Sequence, residues 1–214
     1  MASTRRLAAI MFTDMVGSTA SAQLNEAAAL TLRQEQAALV RGVFAAHQGR
    51  EIKSMGDGFL AEFESALRAV QCAIEIQQRL HDRNSRTNQP PIHLRVGIHL
   101  GDVEVRGSDI FGDSVNVASR IEPLANPGGI CVTEPVFGQV RNKISNRFEK
   151  LETMALKNIQ FPIDVYRLML PWEPTRTATP APFDGKSDRN RVAVLPFANI
   201  SPDTSDAYLS LIHI

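Results

Sequence analysis

Glu51-Ile52-Lys53-Ser54-Met55-Gly56-Asp57-Gly58-Phe59-Leu60-Ala61-Glu62-Phe63 is two extended runs separated by a Gly-Asp-Gly break. Asp-Gly between strand-forming runs is the strongest short hairpin signal, so the stretch reads as two antiparallel strands joined by a tight turn at Gly56-Asp57. Upstream, residues 24–47 are rich in Ala, Leu, Gln and Arg, and Gly42 is their only helix breaker. Leu30, Ala37 and Phe44 recur at seven-residue spacing, which predicts one apolar helix face, with Gly49 closing the helix. Before it, the compact apolar run Leu7–Thr13 reads as a buried central strand, and Gly17-Ser18-Thr19 breaks it and offers N-cap residues.

Downstream of the hairpin, residues 64–82 return to helical period, with Leu67, Val70, Ala73, Ile74 and Leu80 expected inside. Pro90-Pro91 ends a polar loop. His93–His99 then alternates, and Val103 and Val105 beyond Gly101 suggest a second hairpin. Ser114–Ala125 reads as a short helix stopped by Pro127-Gly128-Gly129, and Ile130–Val132 and Ile163–Leu168 as later strands. The order β-α-β-β-α-β predicts an α+β, ferredoxin-like domain: a mostly antiparallel sheet with helices packed on it.

The composition is that of an ordinary globular chain, 43% hydrophobic and 21% charged over 214 residues. Lys+Arg and Asp+Glu both number 23, so no global basic field favours nucleic acid. The apolar run near the N-terminus meets Thr13 and Asp14 too soon for a signal peptide, and no stretch approaches a membrane span. Cys72 and Cys131 have no metal-ligand spacing, which points to reduced thiols and a cytoplasmic protein. His93 and His99 lack a third ligand and read as surface or core histidines, while Met11, Met15 and Met55 read as core filler.

Composition changes after Leu170. Residues 171–190 are rich in Pro, Thr and Ala without period and read as a flexible linker, which makes 1–170 one domain. Arg191–Phe197 resembles a first strand, so 191–214 reads as the shortened start of a second domain, of a kind that follows signalling modules in some bacterial multidomain proteins.

Two acidic residues hold the chemistry. Asp14 follows the central strand, where opening backbone amides can meet phosphate, and Asp57 sits at the hairpin tip. By ordinary odds the first alone is a helix cap and the second a turn residue. If the strands are neighbours, the two carboxylates converge at one sheet end and repel unless a cation lies between them. Hard oxygen ligands there suit Mg²⁺ or Mn²⁺ and hence phosphate chemistry.

Three blocks together are specific. Phe12–Thr19 (FTDMVGST), Lys53–Gly58 (KSMGDG) and Asp109–Arg120 (DIFGDSVNVASR) resemble the signature blocks of class III adenylyl/guanylyl cyclases, over roughly residues 5–170. By this resemblance, Asp14 and Asp57 match the metal-binding aspartates, and Lys53 and Asp109 match the residues that read adenine. Asn116 and Arg120 match the pair that stabilises the transition state, one helical turn apart. Gly17, Ser18 and Thr19 would offer amides to the β- and γ-phosphates, and Asp113 would cap the helix bearing Asn116. Lys157 is a triphosphate-binding candidate, although Asn158 stands where the family usually has Gly.

The resemblance implies an adenylate cyclase using two Mg²⁺ or Mn²⁺ ions per site, with in-line attack of the ribose 3′-hydroxyl on the α-phosphate of ATP. Cyclic AMP and pyrophosphate are the implied products, serving intracellular signalling. It also implies a homodimer with sites shared across the interface. Cyclases for GTP typically carry Glu and a small residue where this chain has Lys53 and Asp109. The alternative is a silent cyclase-homology module acting in nucleotide-responsive dimerisation, but such modules generally lose a metal aspartate or the Asn/Arg pair, and none is lost here. A diguanylate cyclase would need a signature that is absent from the chain.

Overall fold

In the computed structural model, residues 4–17, 26–151, 153 and 162–173 are described. The expectations on Ser18, Thr19, Lys157, the linker from 174 onward and the segment 191–214 fall outside them.

The quoted stretch forms β2 (Arg50–Met55) and β3 (Gly58–Phe63), paired antiparallel around Gly56-Asp57. The positive φ, 70°, belongs to Gly56, the first central residue of the turn. All six residues of β3 are buried, so it is an interior strand. It pairs with β1 (Thr4–Met15), whose residues Ala8–Met11 are completely buried. A strand covered on both faces shows a continuous apolar run and no alternation, which is why Leu7–Thr13 is legible as central.

β1 is flanked on its other side by β4 (Leu94–Arg106), also antiparallel. The spatial order β2-β3-β1-β4, with α1 (Glu26–Ala46) joining β1 to β2 and α2 (Ala66–Arg86) joining β3 to β4, is the ferredoxin-like plan. The sheet continues through β6 (Ile130–Thr133), parallel to β4, then β8 (Val165–Leu168) and β7 (Phe148–Lys150), with β5 (Asp109–Phe111) hairpinned onto β4. α3 (Asp113–Ile121) and α4 (Glu134–Val140) complete the described elements, and Glu122–Leu124 adds one turn of 3₁₀ helix after α3. No helix among the described residues is long and apolar enough to cross a membrane.

Side-chain alternation along β1 divides the core. Ala9 and Met11 point toward α1 and α2, where they join Val40, Phe44, Phe63, Val70 and Ile76. Ala8 and Ile10 point the other way, to Leu60, Val103, Ile110 and Ala118 of α3. Asp14 keeps the parity of Ala8 and Ile10 and therefore belongs to the α3 side. On β3 the buried Glu62 accepts hydrogen bonds from Arg6 of β1 and Arg50 of β2, tying three strands together near the start of β1.

The structure corrects four local expectations. Of the predicted face of α1, Phe44 is buried and Ala37 packs against the core, but Leu30 is 54% exposed and its place in the inward stripe is taken by Ala29 and Leu32. Gly49 closes α1 as expected, its amide donating to the Phe44 carbonyl at 2.8 Å, while the left-handed residue is Gln48; a Cβ on Gly49 would also lie 2.4 Å from the Phe63 ring. Met55 is 42% exposed at the hairpin end, not core filler. Gly112 is the N-cap of α3, and Asp113 is its first residue, favourable there through the helix dipole rather than as a cap.

Gly101 makes no turn. β4 runs unbroken through it, and the hairpin closes later, at Gly107. Gly97 and Gly101 share the α3 face, and a Cβ on either would strike that helix: Gly97 at 2.5 Å from the Glu122 nitrogen, Gly101 at 2.4 Å from Ser114 Oγ. Both glycines let α3 lie directly on the sheet.

His99, between those glycines, is partly buried, and its Nδ1 is 2.9 Å from Thr133 Oγ1. Burial lowers its pKa from an ordinary 6.5 to about 4. The fold therefore holds the ring neutral, while the unfolded chain takes up a proton below about pH 6.5. The stability this group contributes is complete above pH 6.5 and is lost as pH falls toward 4. Urea titrations should show about 2 kcal/mol less stability at pH 5 than at pH 7.5 from this residue alone. His99→Gln should flatten that dependence, and an unchanged slope would remove His99 as its source. His93 is exposed just before β4. Cys72 and Cys131 are free and buried, and burial pushes both thiols up to about 12, which suppresses their reactivity.

Candidate active site

The strand register brings the two acidic residues together. Gly58 opens β3 against the end of β1, where a Cβ would lie 2.4 Å from the Thr13 carbonyl oxygen and 3.7 Å from the Asp14 Cα. Only a bare glycine lets the hairpin approach that closely, and it sets Asp57 beside Asp14. The turn is held from a third element: the buried Gln36 of α1 donates a hydrogen bond to the Asp57 carbonyl at 3.1 Å. The Phe59 amide donates to the Thr13 hydroxyl at 3.1 Å, locking the same junction.

The electrostatics of the pair follow from this packing. The Asp14 carboxyl is raised above its ordinary range, first by burial and next by the charge of Asp57, while Arg95 and the Met15 amide pull it down. Arg95 lies directly across from Asp14 in the β1–β4 register. Close by, Glu122 is only 8% exposed, and burial followed by the Asp14 charge pushes its carboxyl up to about 7, with Arg95 opposing. Sequence reading missed Gln36, Arg95 and Glu122. Arg95 was discoverable, since strand parity puts it on the face opposite Val96 and Ile98; nothing local marks Gln36 or Glu122.

No cluster of three or more metal-ligating side chains occurs among the described residues. Two carboxylates are nonetheless a sufficient protein contribution for Mg²⁺ or Mn²⁺, which keep waters and take phosphate oxygens as their remaining ligands. A half-buried pair of like charges whose repulsion already raises Asp14 is a donor set that such a cation fits.

The second group of predicted residues converges on β5. Lys53 of β2 reaches Asp109 of β5, with Nζ 2.9 Å from Oδ2 and 3.1 Å from Oδ1. The Ile110 amide donates to Asp109 Oδ1 at 2.8 Å, and the lysine, more than any other group, lowers the Asp109 carboxyl. The Lys53 ammonium also stands 5.9 Å from the centre of the exposed Phe111 ring. A donor and an acceptor thus sit side by side at a partly open surface, each oriented by the other.

Asn116 and Arg120 project from the flank of α3, whose buried stripe is Val117, Ala118 and Ile121. Asn116 is exposed and Arg120 half-buried. Their four-residue separation puts both side chains on one side of the helix. Gly17 ends the described segment after β1 with φ 76°.

The carboxylate pair at one strand end and the Lys–Asp pair beside the β4–β5 hairpin sit on a ferredoxin-like sheet, and the class of the domain is that of the nucleotidyl cyclase catalytic domains. The chain belongs to the adenylate and guanylate cyclase catalytic domain family, whose model matches residues 2–169. It is 36% identical to "Putative adenylate cyclase 3" of Rhizobium meliloti (strain 1021), an alignment covering 96% of this chain and 36% of that protein. The chain thus spans little more than a third of that relative's length. Among solved structures it is similar to the adenylate/guanylate cyclase/hydrolase from Silicibacter pomeroyi, with TM-score 0.74 and 37% identity, covering 79% of this chain and 99% of that one. The adenylyl cyclase CyaB from P. aeruginosa shares the fold, with TM-score 0.68 at 20% identity over 79% of this chain and 96% of that one.

Proposed function

We propose that this cyclase domain is an adenylate cyclase, converting ATP to 3′,5′-cyclic AMP and pyrophosphate. The observation that carries the base assignment is the Lys53–Asp109 pair. Adenine presents a ring-nitrogen acceptor next to an amino donor, and this pair offers an ammonium donor next to a carboxylate acceptor. Guanine presents the opposite polarity, so its carbonyl and ring N–H would leave like groups facing each other and polar atoms unpaired.

Asp14 and Asp57 are the residues that would hold divalent cations. Bound there, the cations supply acidification of the ribose 3′-hydroxyl and neutralisation of the triphosphate. The remaining work is positioning and charge compensation by the chain itself. Arg120 faces the charge that accumulates on the α-phosphate, and Asn116 orients the ribose for in-line attack. Gly17, Ser18 and Thr19 offer amides to the β- and γ-phosphates, with Lys157 a further triphosphate contact.

The active unit in this reading is a homodimer. One subunit supplies the aspartate pair, and its partner supplies the Lys–Asp and Asn–Arg pairs. The test is product formation by the purified protein with Mn²⁺ or Mg²⁺ and either ATP or GTP. Cyclic AMP should form from ATP with at least a tenfold preference in kcat/KM over GTP. No product from wild-type dimer under either metal sinks the reading, and a GTP preference sinks the base assignment.

A further inference from the structure

Glu122 occupies a position that the proposed reaction does not yet use. It opens the 3₁₀ turn after α3, with its backbone pressed onto β4 over Gly97. Its side chain is buried, and Oε1 has no hydrogen-bond partner among the described residues. Arg95, two residues before Gly97 on the same face of β4, has a buried Nε that is equally without a partner. A buried carboxylate oxygen and a buried guanidinium nitrogen without partners are each costly, and two that feel each other's charge point to a partnership completed in another state of the site.

Asp14, Arg95 and Glu122 sense one another: Arg95 opposes the upward push on both carboxyls, and Asp14 adds to that on Glu122. Yet Arg95 forms no ion pair within 4.0 Å with either carboxylate, although it lies opposite Asp14 in the strand register. Asp57 is the remaining charge on the Asp14 side. When a divalent cation occupies the Asp14–Asp57 pair, the attraction of Arg95 to Asp14 is cancelled and the two positive charges repel. Glu122 is then the other carboxylate on which the Arg95 charge acts.

We infer that Glu122 is a positioning residue whose carboxylate receives the Arg95 guanidinium and keeps it away from the Asp14 carboxylate that the cation needs. The inference rests on the cyclase reading for its cation, but it concerns only how the chain keeps Asp14 available. Without Glu122, Arg95 turns to Asp14 and competes with the cation for it.

The experiment is a double-mutant cycle on the full chain, with Mn²⁺ as the probe, followed by electron paramagnetic resonance in the absence of nucleotide. Glu122→Gln should weaken Mn²⁺ binding about tenfold, the scale of one charge-assisted contact. In the Arg95→Gln background the same change should cost less than about twofold, because the competitor is gone. Simple loss of a negative charge near the site would weaken binding by the same factor in both backgrounds, and that outcome overturns the inference. Unchanged Mn²⁺ binding in Glu122→Gln, or no Mn²⁺ binding by the wild type, also overturns it. Should Glu122→Gln fail to fold, Glu122→Asp, which retains the charge but withdraws it by one methylene, is carried through the same cycle with the same criterion. A wild type that binds Mn²⁺, obeys the cycle and makes no cyclic AMP sinks the proposed function and leaves this inference standing.

Discussion

Asp14→Asn should abolish nucleotide turnover, by about 10³-fold or more in kcat/KM, while leaving the cation-free fold as stable as the wild type or more so. The two halves of this expectation have one cause. Asp14 is held above its ordinary pKa range by burial and by the charge of Asp57, which means that its ionised form is disfavoured in the folded chain without a cation. Asparagine has nearly the same shape and no charge, so it removes both penalties while removing the ligand. The melting temperature of the cation-free variant should therefore hold or rise, because the burial penalty and the repulsion from Asp57 are both relieved. Addition of Mn²⁺ should raise the melting temperature of the wild type by mass action and leave that of the variant where it was. Thermal melts with and without Mn²⁺, run beside a cyclic AMP assay, decide the matter. Turnover above a tenth of the wild type would exclude Asp14 from the site. A large fall in melting temperature would instead mean that the carboxylate is structural.

What could be read from the sequence divides along physical lines. The ferredoxin-like order was legible because the hairpin at Gly56-Asp57 and the buried run of β1 are local patterns, each set by a few consecutive residues. Gly101 misleads for the opposite reason. A glycine in a strand signals either a turn or a close approach, and the helix that approaches it, through Ser114, comes later in the chain. α4 and β7 were not foreseen, since elements of seven and three residues carry too few apolar positions to define a period. In the site, Asp14 and Asp57 were weak separately, and the resemblance to the cyclase blocks singled them out. Gln36 and Glu122 belong to no such block. Their relevance lies in where α1 and the end of α3 land on the sheet, which is a property of tertiary packing.

A chain carrying Asp57→Ala and a chain carrying Arg120→Ala should each be inactive as homodimers and regain activity when mixed. Within one chain, Lys53 and Asp57 lie on the same hairpin yet face different neighbours. Lys53 pairs with Asp109 on β5, whereas Asp57 stands beside Asp14 at the end of β1. In the proposed reading, the carboxylate pair and the Lys53–Asp109 pair are two separate half-sites on either side of one turn. A two-fold axis would complete both at once, because an isologous interface repeats each contact in reverse. In a mixed dimer one composite site inherits both lesions and the other inherits neither. Random exchange makes about half of all dimers mixed, and each contributes one intact site of two, so the mixture should recover about a quarter of wild-type activity. If each subunit instead housed a whole site, every site in every dimer would carry a lesion and mixing would restore nothing. That result, with mixed dimers shown to form by differential tagging, would rule out sharing and return all six residues to a single chain.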